Sequence, residues 1–240
     1  MITKTKAIVL HSIKYGESKI IVDLLTESCG RISCIATLSK SNKGKLKKQY
    51  FQPLTILEVV TATKPHVQLA QLKEARVDIP FVSIPFNPYK LSIALFTAEF
   101  LRLSTKNELP DALIFNYALN SIAWLDSCMG SFANFHLVFM MRLSRFLGFY
   151  PNMDNHRQGD WFDLRAGCFC RQPPLHSDVL PPAEAEHIQL LLRMNFSTMH
   201  LFRMARHDRN RMAETILQYY RLHLPGFADM KSFAVLKELF

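Results

Sequence analysis

Long apolar stretches are missing from this sequence. No run reaches the ~18 residues that a helix needs to cross a bilayer, so no membrane span is expected. The start, Met1-Ile2-Thr3-Lys4, passes straight into a strand-like pattern. It has neither the apolar block nor the small-residue cleavage site of a secretory leader, so a cytosolic protein is expected. Cysteine is scarce and odd in number: Cys29, Cys34, Cys128, Cys168 and Cys170. Without an export signal, that count argues against a disulfide framework. Internal repeats and low-complexity tails are absent. So are the phosphate-binding G-x-x-x-x-G-K-S/T loop, the G-x-S-x-G elbow and the H-E-x-x-H zinc motif. Asn42-Lys43-Gly44-Lys45 has the wrong spacing for the first. No enzyme class is suggested.

What remains is a chain with 49% hydrophobic and 20% charged residues, enough to build a core. Its net charge is +9, unevenly spread. Residues 1–80 hold 13 Lys and Arg against 6 Asp and Glu, and residues 81–240 hold 16 against 14. A basic excess confined to one third of a chain is the electrostatic footprint of a polyanion binder. The plain alternative is a solvated basic face.

Two hydrophobic periods divide the sequence. In residues 1–80 the runs Ala7–Leu10, Ser18–Thr26, Ile32–Leu38 and Phe51–Thr61, and a last run with Val67 and Leu69, predict five short strands. The alternation Ile32, Cys34, Ala36, Leu38 is the clearest. Five strands in so short a span fit a small closed barrel, of which the OB-fold is one solution. Pro80, Pro85 and Pro88 mark a connection. Beyond it, residues 81–240 read as a helical domain, with an irregular segment over 152–180. Leu91, Leu95, Ala98 and Leu101 recur at helical spacing, as do Phe132, Phe135, Phe139, Leu143 and Phe146. Asp208 and Ser232 are expected helix caps. The fold class is therefore α+β.

The sharpest local feature is Ser39-Lys40-Ser41-Asn42-Lys43-Gly44-Lys45-Leu46-Lys47-Lys48, with five lysines and no acid. Between two predicted strands it forms a basic loop, suited to phosphates through counterion release. A solvated hairpin tip is the alternative. Lys40, Lys43, Lys45, Lys47 and Lys48 are the candidate phosphate contacts. Tyr15, Tyr50 and Phe51, near strand ends, are candidates for base stacking, or for core packing. Arg203, Arg206, Arg209 and Arg211 form a possible anion site or a solvated helix start. His156, Cys168, Cys170 and His176 invite a zinc reading. Structural zinc favours C-x₂₋₄-C pairs, and Cys168-Phe169-Cys170 is too close, so no metal cofactor is expected. Asp154, Asp160 and Asp163 are loose candidates for a metal-dependent nuclease.

Several runs resemble the bacterial recombination mediator RecO family. They are Ala7-Ile8-Val9-Leu10, Tyr15-Gly16-Glu17-Ser18, and Leu25-Thr26-Glu27 before Gly30. Further on come Arg145-Phe146-Leu147-Gly148-Phe149-Tyr150-Pro151 and Trp161-Phe162-Asp163-Leu164 with Gly167-Cys168-Phe169. Leu222-His223-Leu224-Pro225-Gly226-Phe227 with Lys231-Ser232 completes the set, in family order across nearly the whole chain. The resemblance implies an OB-fold followed by a helical domain. It implies binding of single- and double-stranded DNA and annealing of complementary strands. It also implies loading of the RecA recombinase onto DNA coated by single-strand-binding protein, with RecR as partner and a nucleoid location. The acidic tail of single-strand-binding protein would dock on the helical domain, and Arg142 and Arg145 beside the phenylalanine stripe are the candidates to hold it; a plain core stripe with both arginines on a solvated edge is the alternative. Many members carry a four-cysteine zinc site. Here the first pair is missing around Asn152–His156, so the segment is expected to be held by packing alone. An RNA-binding OB protein of ribosome or tRNA metabolism is the alternative function.

Overall fold

The computed structural model describes residues 1–39, 46–63, 69–106, 109–154 and 156–239. Five strands, β1 (Ile2–Tyr15), β2 (Lys19–Thr26), β3 (Gly30–Thr37), β4 (Ile56–Ala62) and β5 (Ala70–Ile79), close a barrel in the order β1-β2-β3-β5-β4. All pairs are antiparallel except β3 with β5. This is the expected five-stranded OB barrel. Its interior is filled by alternate residues, among them Ala7, Val9, Val22, Leu24, Cys34 and Ala36. Burying one large aliphatic side chain contributes about 1.5–3 kcal/mol. Two boundaries differ from expectation. The last strand begins at Ala70, after the Leu69 assigned to it, and β4 begins at Ile56 and not at Phe51, which ends a 3-10 turn over residues 48–51. Val67 lies outside the described residues.

Two compact units are present, Met1–Ser127 with Met230–Leu239, and Cys128–Asp229. The barrel itself ends at Ile79, beside the expected limit of residue 80, but its unit also takes in three helices. These are α1 (Pro88–Ser104), α2 (Ala112–Ser127) and α6 (Lys231–Leu239). α1 packs on β1 and on α6. The Phe96 ring of α1 lies 6.1 Å from Phe233 in a tilted pair, and Leu236 is buried. The proline-rich connection is fastened by one carboxylate. Asp126 accepts the backbone N–H groups of Val82 (2.8 Å), Ser83 (2.9 Å) and Ile84 (2.8 Å). Burial opposes its charge, yet these donors hold its carboxyl below the usual range. The buried Lys90 ammonium donates to the Ser83 hydroxyl (2.7 Å) and to the Asp126 carbonyl (3.1 Å).

The second unit holds α3 (Phe135–Phe146), α4 (Pro182–Arg193) and α5 (Arg206–His223). It also contains a small sheet of β6 (Trp161–Asp163), β7 (Cys168–Cys170) and β8 (Val179–Leu180), ordered β7-β6-β8. From Phe135 to Ser144 every α3 residue except Arg142 is buried. A helix apolar on all sides is a core helix. Gly148 takes a φ of +85° and turns the chain so that Phe149 enters an aromatic cage. The Phe149 ring lies 5.8 Å from Tyr219, 4.9 Å from Tyr220 and 5.2 Å from His223. Two expected caps are corrected. α5 begins at Arg206, so Asp208 sits in its first turn. Ser232 lies inside α6, and the α6 N–H groups are met by Glu99 of α1.

Candidate nucleic-acid interface

Most basic residues of the barrel fall into two sets. On the β1–β4–β5 side Lys4, Lys6 and Arg76 are neutralised, and Lys73 of β5 is exposed with no ion pair among the described residues. Lys4 Nζ lies 2.6 Å from Glu58, Arg76 Nη2 2.7 Å from the same carboxylate, and Lys6 Nζ 3.1 Å from Asp78. Hydrogen bonds from Arg76 and Lys4 hold the Glu58 carboxyl below its ordinary range. Tyr50, Lys4, Glu58 and Arg76 line a cavity of about 460 Å³ on this side. A charge already paired has little left to offer a phosphate.

The second set is Lys14, Lys19, Lys47 and Lys48, none of which forms an ion pair among the described residues. Folding gathers them. Lys14 and Lys19 flank the β1–β2 turn, where Tyr15 pairs with Lys19 and Gly16 takes a φ of +74°. Leu38 N–H donates to Ser18 O (2.7 Å), and Ser39 N–H donates to Leu46 O (3.0 Å). Leu46 is buried in the barrel core, which fixes where Lys47 and Lys48 emerge. The Ser12 hydroxyl donates to Phe51 O (3.0 Å), tying β1 to the 48–51 turn. Between these pieces lies a cleft of about 390 Å³. Lys14, Lys19, Lys48 and Glu17 supply its charged side chains. Ile13, Ile20, Leu38 and Phe51 supply apolar surface, and Ser12 and Gln52 polar groups.

Of the residues singled out from sequence, Lys47 and Lys48 stand at this end of the barrel, Lys48 exposed and Lys47 half-buried. Lys40, Lys43 and Lys45 lie outside the described residues. Tyr15 is 54% exposed and presents its ring to solvent. Tyr50 is half-buried against the barrel core. Phe51 is corrected: it is 2% exposed and belongs to the core, so its ring has no face to offer a base. Lys14, Lys19, Ile13 and Gln52 went unnoticed. The available signal was the pair of lysines bracketing Tyr15-Gly16-Glu17-Ser18.

In the second unit the structure decides between the two readings of the phenylalanine stripe. Phe135, Phe139 and Leu143 are wholly buried, and Phe132 and Phe146 half-buried, so the stripe is core. Arg142 turns back into the fold, donating Nε (3.2 Å) and Nη2 (3.0 Å) to Met194 O. Arg209 donates to Asn134 Oδ1 (2.9 Å) and Met204 O (3.0 Å), and burial lowers its pKa. Arg211 pairs with Glu184 at 3.0 Å. Arg145, Arg203 and Arg206 are exposed.

The segment 152–180 is less irregular than expected. Besides its three strands, Asn152 N–H donates to Gly167 O (2.7 Å) and Arg165 pairs with Asp178 (2.7 Å). Phe169 lies 4.9 Å from Phe162 and 4.1 Å from His156. Packing alone does not hold it. Cys168 and Cys170, two apart on β7, face one way, and Phe169 the other. Asp163 accepts N–H groups of Arg165 and Ala166 and lies 3.4 Å from His176. Asp160 accepts the N–H of Arg157 (2.7 Å). Among the described residues no three His, Cys, Asp or Glu side chains converge to hold a metal ion. No described helix is long and apolar enough to cross a membrane.

The family model for the N-terminal part of recombination protein O matches residues 1–80, and that for its C-terminal part matches residues 85–232. The "DNA repair protein RecO" of Bacteroides fragilis is 48% identical over 241 aligned positions, covering 100% of both chains. That of Phocaeicola vulgatus is 48% identical, and that of Porphyromonas gingivalis 34% identical, again over 100% of each chain. Identity of this extent, over a chain whose five-stranded barrel is followed by helices, means that this protein belongs to the RecO family of DNA repair proteins.

Proposed function

We propose that this protein binds single- and double-stranded DNA at the lysine-rich end of its barrel and acts as a recombination mediator with no catalytic chemistry of its own. In that role it anneals complementary strands and helps load RecA onto DNA coated by single-strand-binding protein, in the cytoplasm at the nucleoid. The observation carrying this reading is the segregation of charge. Lys4, Lys6 and Arg76 of the β1–β4–β5 side are paired, leaving Lys73 alone unpaired there among the described residues, whereas Lys14, Lys19, Lys47 and Lys48 gather beside a cleft with no ion-pair partner among the described residues. Phosphates bind where cations are not already neutralised, and lysine suits them without imposing one geometry.

RecR and the acidic tail of single-strand-binding protein are the proposed protein partners. For the tail carboxylates, the exposed Arg145 and Arg203 are better placed than Arg142 and Arg209, whose donors serve the fold. The DNA reading is tested by fluorescence-anisotropy titration of a labelled single strand at several salt concentrations. Affinity that falls linearly on logarithmic axes supports it, and affinity indifferent to salt removes it.

A further inference from the structure

We propose that the cleft beside the β1–β2 hairpin seats one unstacked base of a single strand, while its lysines hold the flanking phosphates. The inference rests on the DNA reading above and adds what that reading lacks, a reason to prefer single strands. At about 390 Å³ the cleft falls within the roughly 300–1,000 Å³ of small-ligand sites. Its surface is of two kinds. Ile13, Ile20 and Leu38 supply apolar walls, and Lys14, Lys19 and Lys48 supply cations against the single acid Glu17. An apolar, flat group tethered to anions matches that combination, and a nucleotide within a strand is such a group. The Ser12–Phe51 hydrogen bond ties the two walls together, so the cleft is formed before the ligand arrives. Gln52 offers both a donor and an acceptor, which lets it meet any base edge without selecting a sequence.

A base inside a duplex has both faces covered and must be unstacked and unpaired before it can enter. A base in a single strand has far less to lose. The site therefore favours single strands and ends over continuous duplex, beyond what charge alone provides. It also differs from base stacking on an exposed aromatic ring, since its walls are aliphatic apart from Phe51, which is 2% exposed.

The test compares the full-length protein binding a labelled oligothymidylate with its binding of a strand of equal length in which every base is replaced by an abasic site. Both carry the same phosphates. The intact strand should bind at least about fivefold more tightly, because seating a base removes apolar ring surface from water against the cleft walls. In Ile13→Ala and in Gln52→Ala the ratio should fall toward one. Ile13 is 47% exposed and Gln52 is exposed, and circular dichroism verifies that both variants fold. Equal, salt-dependent binding of both strands by the unaltered protein would overturn the cleft and leave the phosphate reading standing. A preference for the intact strand that both folded variants retain would place the base elsewhere and also overturn it. Salt-independent binding of both strands would remove the DNA reading itself. Free thymidine monophosphate shares the ring and the phosphate. If it displaced the strand at micromolar concentration, the cleft would be a mononucleotide site, and the strand assignment would fall.

Discussion

Glu99 of α1 and Ser232 of α6 are joined twice: Glu99 Oε2 accepts both the backbone N–H (2.8 Å) and the hydroxyl (2.5 Å) of Ser232. Glu99 Oε1 also accepts the N–H of Lys231 at 3.1 Å. A carboxylate from another helix thus meets the orphan donors at the start of α6 and sits where the macrodipole favours a negative charge. Burial works against the charge, and these bonds bring the carboxyl below its usual range.

Glu99→Ala should therefore loosen the last helix. We expect a loss of about 2 kcal/mol, the scale of a charge-assisted bond plus a cap. Thermal denaturation gives the magnitude. Hydrogen exchange gives the place, with faster exchange concentrated in residues 231–239. Unchanged protection there would mean that Phe233 and Leu236 hold α6 without the cap.

Gly167 is a second point of constraint. Its φ is +66°, and a Cβ added there would lie 2.5 Å from the Tyr219 hydroxyl oxygen. That hydroxyl donates to Phe149 O at 2.7 Å. Gly167→Ala combines backbone strain with displacement of a bonded tyrosine, and should cost about 1–3 kcal/mol. A melting temperature equal to the parent's would show that Tyr219 yields freely.

Acid should weaken the second unit through His136. Burial, with the Arg209 charge adding, pushes its pKa down to about 3. The unfolded chain titrates near 6.5, so between the two values the unfolded state binds more protons. The stabilising effect of a neutral His136 is complete above pH 6.5 and is lost progressively as pH falls toward 3. His136→Gln should flatten the fall in melting temperature between neutral pH and pH 5, whatever its effect at neutral pH. Parallel pH curves for parent and variant would contradict the assignment.

Arg142 and Arg145 should separate stability from docking. Arg142→Ala strands the Met194 carbonyl and should cost about 1–3 kcal/mol of folding stability. Arg145→Ala should leave the melting temperature near the parent's and weaken binding of the acidic tail peptide by about 1.5–3 kcal/mol, read by calorimetric titration. Full affinity in Arg145→Ala would turn the search to Arg203.

How far the sequence could be read depended on whether a signal was local. β3 was legible because Cys34 and Ala36 point inward while Ile35 and Thr37 do not. β5 was not, because Lys73, Glu74, Arg76 and Asp78 load it with charge, and register shifts against β4 break its alternation. Strands of two or three residues, β6 to β8, are too short to show any period. α3 showed a stripe in sequence, yet His136, Met140 and Met141 are buried as well, so the apparent face was one side of a fully enclosed helix. The site was half visible. Lys47 and Lys48 stood out as a run, but Lys14 and Lys19 join them only through the hairpin and the Leu38–Ser18 bond. Phe51 followed that run in sequence, where base stacking and core packing were both open. Packing alone decided that it is core.

The central claim is that DNA is held by the lysines of the cleft and not by the paired flank. The most direct measurement is the salt dependence of single-strand binding in two charge-removal variants of the full chain. One replaces Lys14, Lys19, Lys47 and Lys48 with Ala, and the other replaces Lys4, Lys6 and Arg76. The account predicts that the slope of log K against log salt drops by roughly 0.7 for each phosphate no longer neutralised in the first variant, and hardly changes in the second. A slope that falls in the second variant and persists in the first would contradict it and move the DNA path to the β1–β4–β5 side.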